Sequence, residues 1–488
     1  MATKKLPQLR DFSKGRVTTY SANTSLIPAN SVSNSYNVNF DSVLGAGQAR
    51  LGTTALGSVV ASGKTALGLG EFVSSGATTN VLLSVFSGAT TATIYYFDTA
   101  WHASSTTTLS NTAKCRFATL GGRVFLVNGA TMLSSADGNT WDTTNCITTN
   151  SVVPSLIYKF SARLLASGYS SFKDRVYFSS IIDLNASPTL VWNTDPATGD
   201  LAGDWIDVNP DDGDNVTGFS DISSVMLVFK KNNFYRLNVV AKAVDPESIF
   251  NVGAPSQEAI TKCQGMVYFY SGGAVYRTNG GYPEQISRLG FQDFIDAVPQ
   301  TNWGSVAMGA DEFNVYISLG QVTVNGMTNY IVGKFSTRDE SWSVHYYPVI
   351  HKLYAKWTDT NGRKLRFVDS LGFGQTLNLG TTDNATPIFY QLDTQDIEFG
   401  QRGASNVIND KFSVFTRNAQ GSTLKVKEEN GDYRDLQKQL LNPVETIENC
   451  NIKARYFRLR WSGTYSSGKS PTLEGFEFPD VTDEGVIL

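Results

Sequence analysis

Short apolar runs rich in β-branched and aromatic residues recur along the chain, each followed by a turn of Gly, Asn or Ser. Seven of these runs can be anchored on an apolar residue near their start, at Leu82, Val124, Val176, Leu227, Val267, Val315 and Phe367. Successive anchors lie 40 to 52 residues apart. One strand-turn-strand unit at this period is typical of the four-stranded blades of a propeller, because short strands cannot bury both faces alone. We therefore predict an all-β fold with a β-propeller of about seven degenerate blades.

The composition favours the same fold class. Only 17% of the 488 residues are charged and 43 are glycine, whereas coiled coils, helical bundles and charged disordered tails need long helix-forming or charged runs. No strict kelch or WD signature marks the repeat, so a solenoid or several β-sandwiches are the alternatives. Trp141 and Trp342 each follow a polar turn, where a large ring is expected to fill the gap between neighbouring blades.

The pattern changes near residue 390. From there on, apolar and polar residues alternate with period two, as in Lys411 to Phe415, Arg455 to Trp461 and Leu473 to Phe478. Such alternation is typical of half-buried antiparallel strands. We predict a β-sandwich-like domain over residues 391–488, a propeller over 51–390, and an N-terminal strand or arm over 1–50 that closes or bridges the propeller. Arg458 and Arg460 are expected on a solvated strand face.

Charge and residue counts exclude several function classes. The 40 basic and 44 acidic residues give a net charge of −4, which offers no cationic surface for tight nucleic-acid binding. Four scattered cysteines lack zinc-site spacing, and three histidines leave little material for a metal site or an acid–base relay. We predict no cofactor, no metal, no catalytic residue and no membrane span, since no stretch approaches 18 consecutive apolar residues.

One acidic turn is a candidate site. It contains the four carboxylates of Asp207, Asp211, Asp212 and Asp214. The turn is similar to a calcium loop, but its glycine is one place late and the twelfth-position Glu is missing, so a plain surface turn is the simpler interpretation. As a hypothesis, this cluster faces a lumen through which a polyanion slides, because weak acidity avoids phosphate contacts that would hold it.

Two stretches of the chain carry short motifs in a fixed order. The first is the N-terminal series Asp11 to Val17, Ser25 to Ser31, Asn37 to Asp41, and Gly45 to Gly52 with Arg50 just before a glycine. The second runs in order through Ser161 to Leu165, Asp174 to Ser179, Trp192, Ile206 to Asp214, Leu227 to Arg236, Val252 to Gly253, Val267 to Phe269 and Gly273 to Gly280. In this order the motifs resemble those of bacteriophage tail hub and nozzle proteins, and the resemblance covers about residues 11 to 345. The chain is shorter than the large nozzle proteins of short-tailed phages.

The resemblance implies a structural virion protein rather than an enzyme. In that family, propellers assemble as a homo-oligomeric ring, typically six-fold, around the channel that conducts DNA out of the capsid without sequence-specific binding. It also implies docking of a tail adaptor and of fibre or spike proteins, location in the virion tail, and assembly in the host cytoplasm.

Two other functions are open at this stage. The first is a tail-tip receptor-binding or fibre-attachment protein that recognises a host surface glycan, which exposed aromatic clusters on the blade loops would favour. The second is a propeller glycosidase, which would need carboxylates converging at the central channel.

Overall fold

A computed structural model gives the fold of the chain. It describes residues 8–18, 27–28, 30–58, 60, 63–74, 80–104, 109–147, 153–169, 171–181, 190–192, 204–210, 212–238, 243–324, 326–360, 362–398, 406–408, 411–429, 431–478 and 482–483.

Seven small antiparallel sheets follow one another as blades within the described residues, which confirms the predicted all-β propeller. Blade 1 consists of Ala66–Val73, Asn80–Phe86, Thr91–Phe97, Trp101–Ala103 and Leu109–Ser110. Blade 2 consists of Arg116–Leu120, Arg123–Val127 and Met132–Ser135. Blade 3 consists of Leu156–Phe160, Arg163–Ser167, Arg175–Phe178 and Asp204–Asp207. Blade 4 consists of Val216–Ile222, Val225–Lys230, Phe234–Asn238 and Ala243–Phe250. Blade 5 consists of Ile260–Cys263, Met266–Ser271, Ala274–Thr278 and Glu284–Gln285. Blade 6 consists of Ala307–Ala310, Asn314–Val324, Met327–Ser336 and Trp342–Tyr347. Blade 7 consists of His351–Asp359, Gly362–Asp369, Gly374–Thr376 and Thr54–Ala55.

The propeller closes on itself through its last blade. The innermost strands of consecutive blades contact one another around the whole ring, and the first strand of blade 7 contacts that of blade 1. The outermost strand of blade 7 is Thr54–Ala55, which pairs with Gly374–Thr376. Because the chain before blade 1 supplies the last strand of blade 7, separating blades 7 and 1 requires breaking a hydrogen-bonded strand pair. The strand that closes the propeller is therefore Thr54–Ala55, which follows residues 1–50.

Large side chains fill the gaps between blades. Trp141 belongs to the apolar cluster shared by blades 1 and 2, and Trp342 to the cluster shared by blades 5 and 6. The Trp342 ring lies flat on Phe291, with 4.8 Å between ring centroids and 8° between planes, and its indole N–H donates to the Ile286 carbonyl at 2.9 Å. The role predicted for both tryptophans is confirmed. Each interblade gap thus has its own core cluster.

A second unit is a β-sandwich made from both ends of the chain. One sheet contains Gln8–Leu9, Val38–Asn39, Gly47–Ala49, Lys411–Arg417, Val444–Glu448 and Thr472–Glu477. The other contains Val32–Tyr36, Thr382–Asp383, Thr386–Thr394, Thr423–Glu428, Arg434–Gln437 and Phe457–Tyr465. A small third sheet contains Asn406–Ile408, Ile452–Ala454 and Thr482–Asp483. Strands within residues 1–50 therefore pair with the C-terminal strands and share their core.

The N-terminal segment also joins the sandwich to the rim of blade 6. The outermost strand of that blade, Trp342–Tyr347, packs against Val32–Tyr36 and Val38–Asn39. Main-chain hydrogen bonds cross the boundary, from Arg16 to the Trp342 carbonyl at 3.1 Å and from Asn37 to the Val344 carbonyl at 2.8 Å. The short helix Gln292–Asp296 and the 3₁₀ turns Gln257–Ala259 and Gln300–Ser305 lie in linkers between blades.

Candidate functional site

The most elaborate polar cluster lies where the sandwich meets the propeller. Arg50 comes directly after the strand Gly47–Ala49, and its side chain is completely buried. Its guanidinium donates to the carboxylate of Asp383 (2.8 Å for one of the two bonds), to Asn37 Oδ1 at 2.8 Å and to the Tyr346 carbonyl at 2.8 Å. The same group lies 4.0 Å from the centre of the Tyr347 ring. One side chain thus contacts the N-terminal segment through Asn37, the sandwich strand Thr382–Asp383 through Asp383, and blade 6 through Tyr346.

A second layer of polar contacts surrounds this arginine. Asn37 Oδ1 also accepts the main-chain N–H of Tyr346 at 2.7 Å. Asn39 Oδ1 lies 2.9 Å from His345 Nε2 and accepts from Lys334 Nζ at 3.2 Å, and Lys334 forms an ion pair with Asp41 at 2.6 Å. In this segment Asn37, Asn39, Asp41 and Arg50 therefore contact the propeller. Val38, Phe40 and Ala49 lie in the sandwich core.

Burial and charge at this junction raise the pKa of Arg50 and lower the pKa values of His345 and His351. Burial alone would lower the pKa of Arg50, but the nearby Tyr347 and Asp383 raise it above its usual value. Burial lowers the pKa of His345 and of His351 well below the usual histidine value, and the charge of Arg50 lowers both further. Both histidines are consequently neutral at pH 7. The junction is stable only with Arg50 paired to Asp383, because a buried charge that loses its partner is strongly destabilising.

A separate ion-pair cluster lies across one mouth of the central channel. Glu258 precedes the first strand of blade 5, and its carboxylate accepts from Lys114 Nζ at 2.8 Å and from Arg116 Nε at 3.0 Å. Arg116 begins the first strand of blade 2. Blades 2 and 5 are not neighbours in a seven-bladed ring, so these contacts span the channel mouth. Burial alone would raise the pKa of Glu258, but the two cations outweigh it and hold the pKa at about 2.

The acidic turn is divided among separate partners. Asp207 ends the outermost strand of blade 3 and pairs with Arg175 at 2.8 Å. Asp212 accepts from the buried Lys230 at 2.7 Å, and Asp214 accepts the main-chain and side-chain N–H groups of Asn232 at 3.0 and 2.7 Å. Asp211 lies outside the described residues. The three described carboxylates stand on an outer strand and an interblade linker, and the hypothesis that they face a DNA lumen stays a prediction.

The arginines of the strand Phe457–Tyr465 are paired rather than simply solvated. Arg458 forms a two-point contact with Asp396, and Arg460 one with Asp393 at 2.7 and 2.8 Å. Both are only partly exposed, at 38% and 27%. The apolar face of this strand is buried as the alternation predicts, with Trp461 fully enclosed. What period-two alternation did not reveal is that carboxylates from residues 393–396 lie opposite the polar face.

The thiols of the described chain are enclosed. All four cysteines are free and buried, and burial raises the pKa of each thiol to about 11 or 12. No group of three or more His, Cys, Asp or Glu among these residues is placed to hold a metal ion. The same residues include no helix that is both long and apolar enough to cross a membrane.

One open groove lies on the face of the propeller that carries the interblade linkers. It has a volume of about 700 Å³ and is formed by loops of blades 3, 4 and 5 and by the linker to blade 6. The chemically distinctive lining side chains are those of Lys173, Asp214, Asn215, Lys231, Asn232, Asn251, Tyr276, Gln300 and Trp303. They come from separate segments spread over more than a hundred residues, so no local sequence motif announces this site.

Together, the blades, their closure and the docked sandwich define a β-propeller protein. No protein-family model matches the chain, and no curated protein matches its sequence. Solved structures with similar folds include a streptogramin B lyase (11% identity, TM-score 0.44, covering 67% of this chain and 97% of that one). A second is the Pan2 WD40 domain of Neurospora crassa (9% identity, TM-score 0.42, covering 68% of this chain and 95% of that one). A third is the extracellular domain of the one-component system BT4673 of B. thetaiotaomicron (10% identity, TM-score 0.41, covering 91% of this chain and 64% of that one). These likenesses concern the fold alone.

Proposed function

We propose that this chain is a structural subunit of a phage tail, a hub or nozzle protein that forms a ring, typically of six copies. The ring surrounds the channel through which DNA leaves the capsid, and it docks an adaptor and fibre or spike proteins. The proposed location is the virion tail, reached by assembly in the host cytoplasm. The chain acts in this proposal by assembly, not by catalysis.

One observation carries the proposal. The N-terminal residues on which the resemblance rests are the same residues that build the junction, since Asn37, Asn39, Asp41 and Arg50 all contact the propeller from the sandwich side. They form no open, substrate-accessible site, because Arg50 and its carboxylate partner are buried. Residues with this placement define how two units are oriented. A fixed orientation is what a subunit needs in order to repeat its contacts around a ring.

The proposal places DNA on the axis of the ring and not inside each propeller. Ion pairs of Glu258 with Lys114 and Arg116 cross one mouth of the propeller channel within each subunit. The net charge of −4 supports a lumen that repels rather than binds a polyanion. Two buried neutral histidines and four buried thiols support assembly over catalysis, since neither kind of group is accessible to a substrate.

The test is the mass and shape of the purified protein. Mass photometry and negative-stain class averages at increasing concentration should show a closed ring with a central pore. Six copies of a 53.2 kDa chain give a mass of about 320 kDa. A variant with the junction broken, Arg50→Met, should fail to form the ring, whereas Arg10→Met, which removes a half-exposed ion pair with Glu477, should form it. A protein that stays monomeric or trimeric at every concentration contradicts the proposal.

A further inference from the structure

The groove on the linker face has the features of a binding site for a long polar ligand. Its lining comes from loops of blades 3, 4 and 5 and from the linker to blade 6. It is open to solvent, unlike the buried junction, so a ligand can enter it without a rearrangement of the blades.

Two aromatic rings in this groove are held in place from behind. Tyr276 stacks on Phe269 with ring centroids 5.7 Å apart and planes at 20°. Trp303 packs edge-on against Tyr270 at 6.3 Å. Both rings are only partly buried, so each retains accessible surface in the groove. Rigid aromatic surface of this kind offers a large contact area at a small cost in side-chain entropy, and it suits the C–H face of a sugar ring.

The polar lining is rich in amides. Asn215, Asn232, Asn251 and Gln300 each bring both a donor and an acceptor. Such paired groups match the hydroxyls of a carbohydrate, which donate and accept at adjacent positions. Polar groups that converge on an aromatic surface are the usual means by which a cleft orients its ligand.

The charges of the groove favour an acidic ligand. Lys173 and Lys231 are exposed, and neither forms an ion pair within the described residues. The one lining carboxylate, Asp214, already accepts two N–H groups from Asn232. The lining therefore has a formal charge of +1 in a protein whose overall charge is −4. Free lysines beside an otherwise neutral cleft attract carboxylate or phosphate groups.

We propose that this groove binds an acidic oligosaccharide. Sugar rings lie against Trp303 and Tyr276, the amides bind hydroxyls, and Lys173 and Lys231 contact the acidic groups. This binding does not require the ring assembly proposed above, and the ring does not require the glycan. The two proposals therefore fail independently.

The test uses the full-length protein and isothermal titration calorimetry. The acidic probes are tetragalacturonate, trisialic acid and a phosphorylated lipopolysaccharide core oligosaccharide. Maltotetraose is the neutral counterpart, and a twelve-residue oligothymidylate tests DNA. We expect at least one acidic sugar to bind about tenfold or more tightly than maltotetraose and than the oligothymidylate, and the carboxylated and phosphorylated probes separate the two kinds of acidic group.

Two independent variants report whether the binding occurs in this groove. Gly304 lines it, and a Cβ built there meets no atom within 4 Å, so Gly304→Trp adds a ring in open space. This variant should abolish binding, and Lys173→Glu combined with Lys231→Glu should weaken it about tenfold or more. The matched control changes Lys438 and Lys469, exposed lysines of the sandwich, to Glu.

The proposal is overturned if no acidic probe binds more tightly than maltotetraose. It is also overturned if the binding persists in both groove variants, or if only the oligothymidylate binds. Thermal unfolding of each variant at the wild-type temperature shows that a loss of binding is not a loss of folding.

Discussion

Glu258 of blade 5 reaches across the channel mouth to Arg116 of blade 2, with 3.0 Å between the carboxylate and the guanidinium Nε. Blades 3 and 4 lie between these two along the chain, so the contact joins parts of the ring that otherwise touch only through their neighbours. Glu258 is 10% exposed and Arg116 is 15% exposed, so solvent screens the ion pair between them only weakly. It acts as a cross-brace of the propeller.

Replacing Glu258 with Gln should reduce the free energy of unfolding at pH 7 by about 2–4 kcal/mol, because the largely buried Arg116 and the partly exposed Lys114 lose their carboxylate partner. Since folding lowers the pKa of Glu258 from 4.5 to about 2, its stabilising effect is complete above about pH 4.5 and is lost as the pH falls toward 2. Denaturation across this pH range should show the wild-type advantage shrinking to nothing. Glu340→Gln removes a carboxylate that is 55% exposed and pairs with Arg277, so it should cost under about 1 kcal/mol. An equal loss in both variants would contradict the role of Glu258 as a brace.

Arg50→Met should destabilise the protein by about 3–5 kcal/mol, because Asp383 becomes a buried carboxylate without its partner. Arg50→Lys should lose most of this energy as well, since an ammonium cannot make the two-point contact. Hydrogen exchange should speed up in Trp342–Tyr347 and Thr386–Thr394 before it does in blades 1 to 4. Uniform exchange throughout the chain would show that the junction is not a separate element of stability.

The buried histidines should make the protein acid-sensitive. Folding lowers the pKa of His345 and His351 below 6.5, so the unfolded state binds more protons and stability falls as the pH drops below about 6.5. The groups that oppose protonation are the cations Arg50 and Lys334. At pH 5 the penalty should reach about 2 kcal/mol for each histidine.

The double variant His345→Gln with His351→Gln should flatten this pH dependence between pH 6.5 and 5. The measurement is the midpoint of denaturant unfolding at each pH. His102→Gln is the control, because His102 is exposed and lies beside Asp98. A wild-type curve that does not fall below pH 6.5 would contradict the assignment of neutral histidines.

Trp342→Ala should cost about 3–5 kcal/mol, since the ring fills the gap between blades 5 and 6 and is 3% exposed. Trp342→Phe retains the stacking on Phe291 but loses the hydrogen bond to the Ile286 carbonyl, so it should cost about 1–2 kcal/mol. Thermal and denaturant unfolding measure both. Equal costs for the two substitutions would mean that the hydrogen bond, and not the packing, dominates at this position.

Sequence periodicity was sufficient for the propeller because each blade repeats one local pattern. Six of the seven anchors lie on the second strand of a blade, and Val176 lies on the third strand of blade 3. In that blade the second strand is Arg163–Ser167, whose run was less conspicuous than the next one. Strand pairing within a blade involves neighbours in sequence, so hydrophobic period and turn residues determine it.

The partners of distant residues were decided only by the tertiary structure. Alternation in residues 411–478 indicated a sandwich, but nothing in the sequence shows that strands before residue 50 complete its sheets. Arg50 and Asp383 are separated by 333 positions, and Arg116 and Glu258 by 142. A charged residue looks the same in sequence whether it is solvated or buried beside a partner, because the desolvation that distinguishes the two cases arises only on folding. The amino-acid sequence by itself therefore determined the class of fold and the number of blades, while the closed ring, the buried junction and the open groove arise from contacts between segments that only folding brings together.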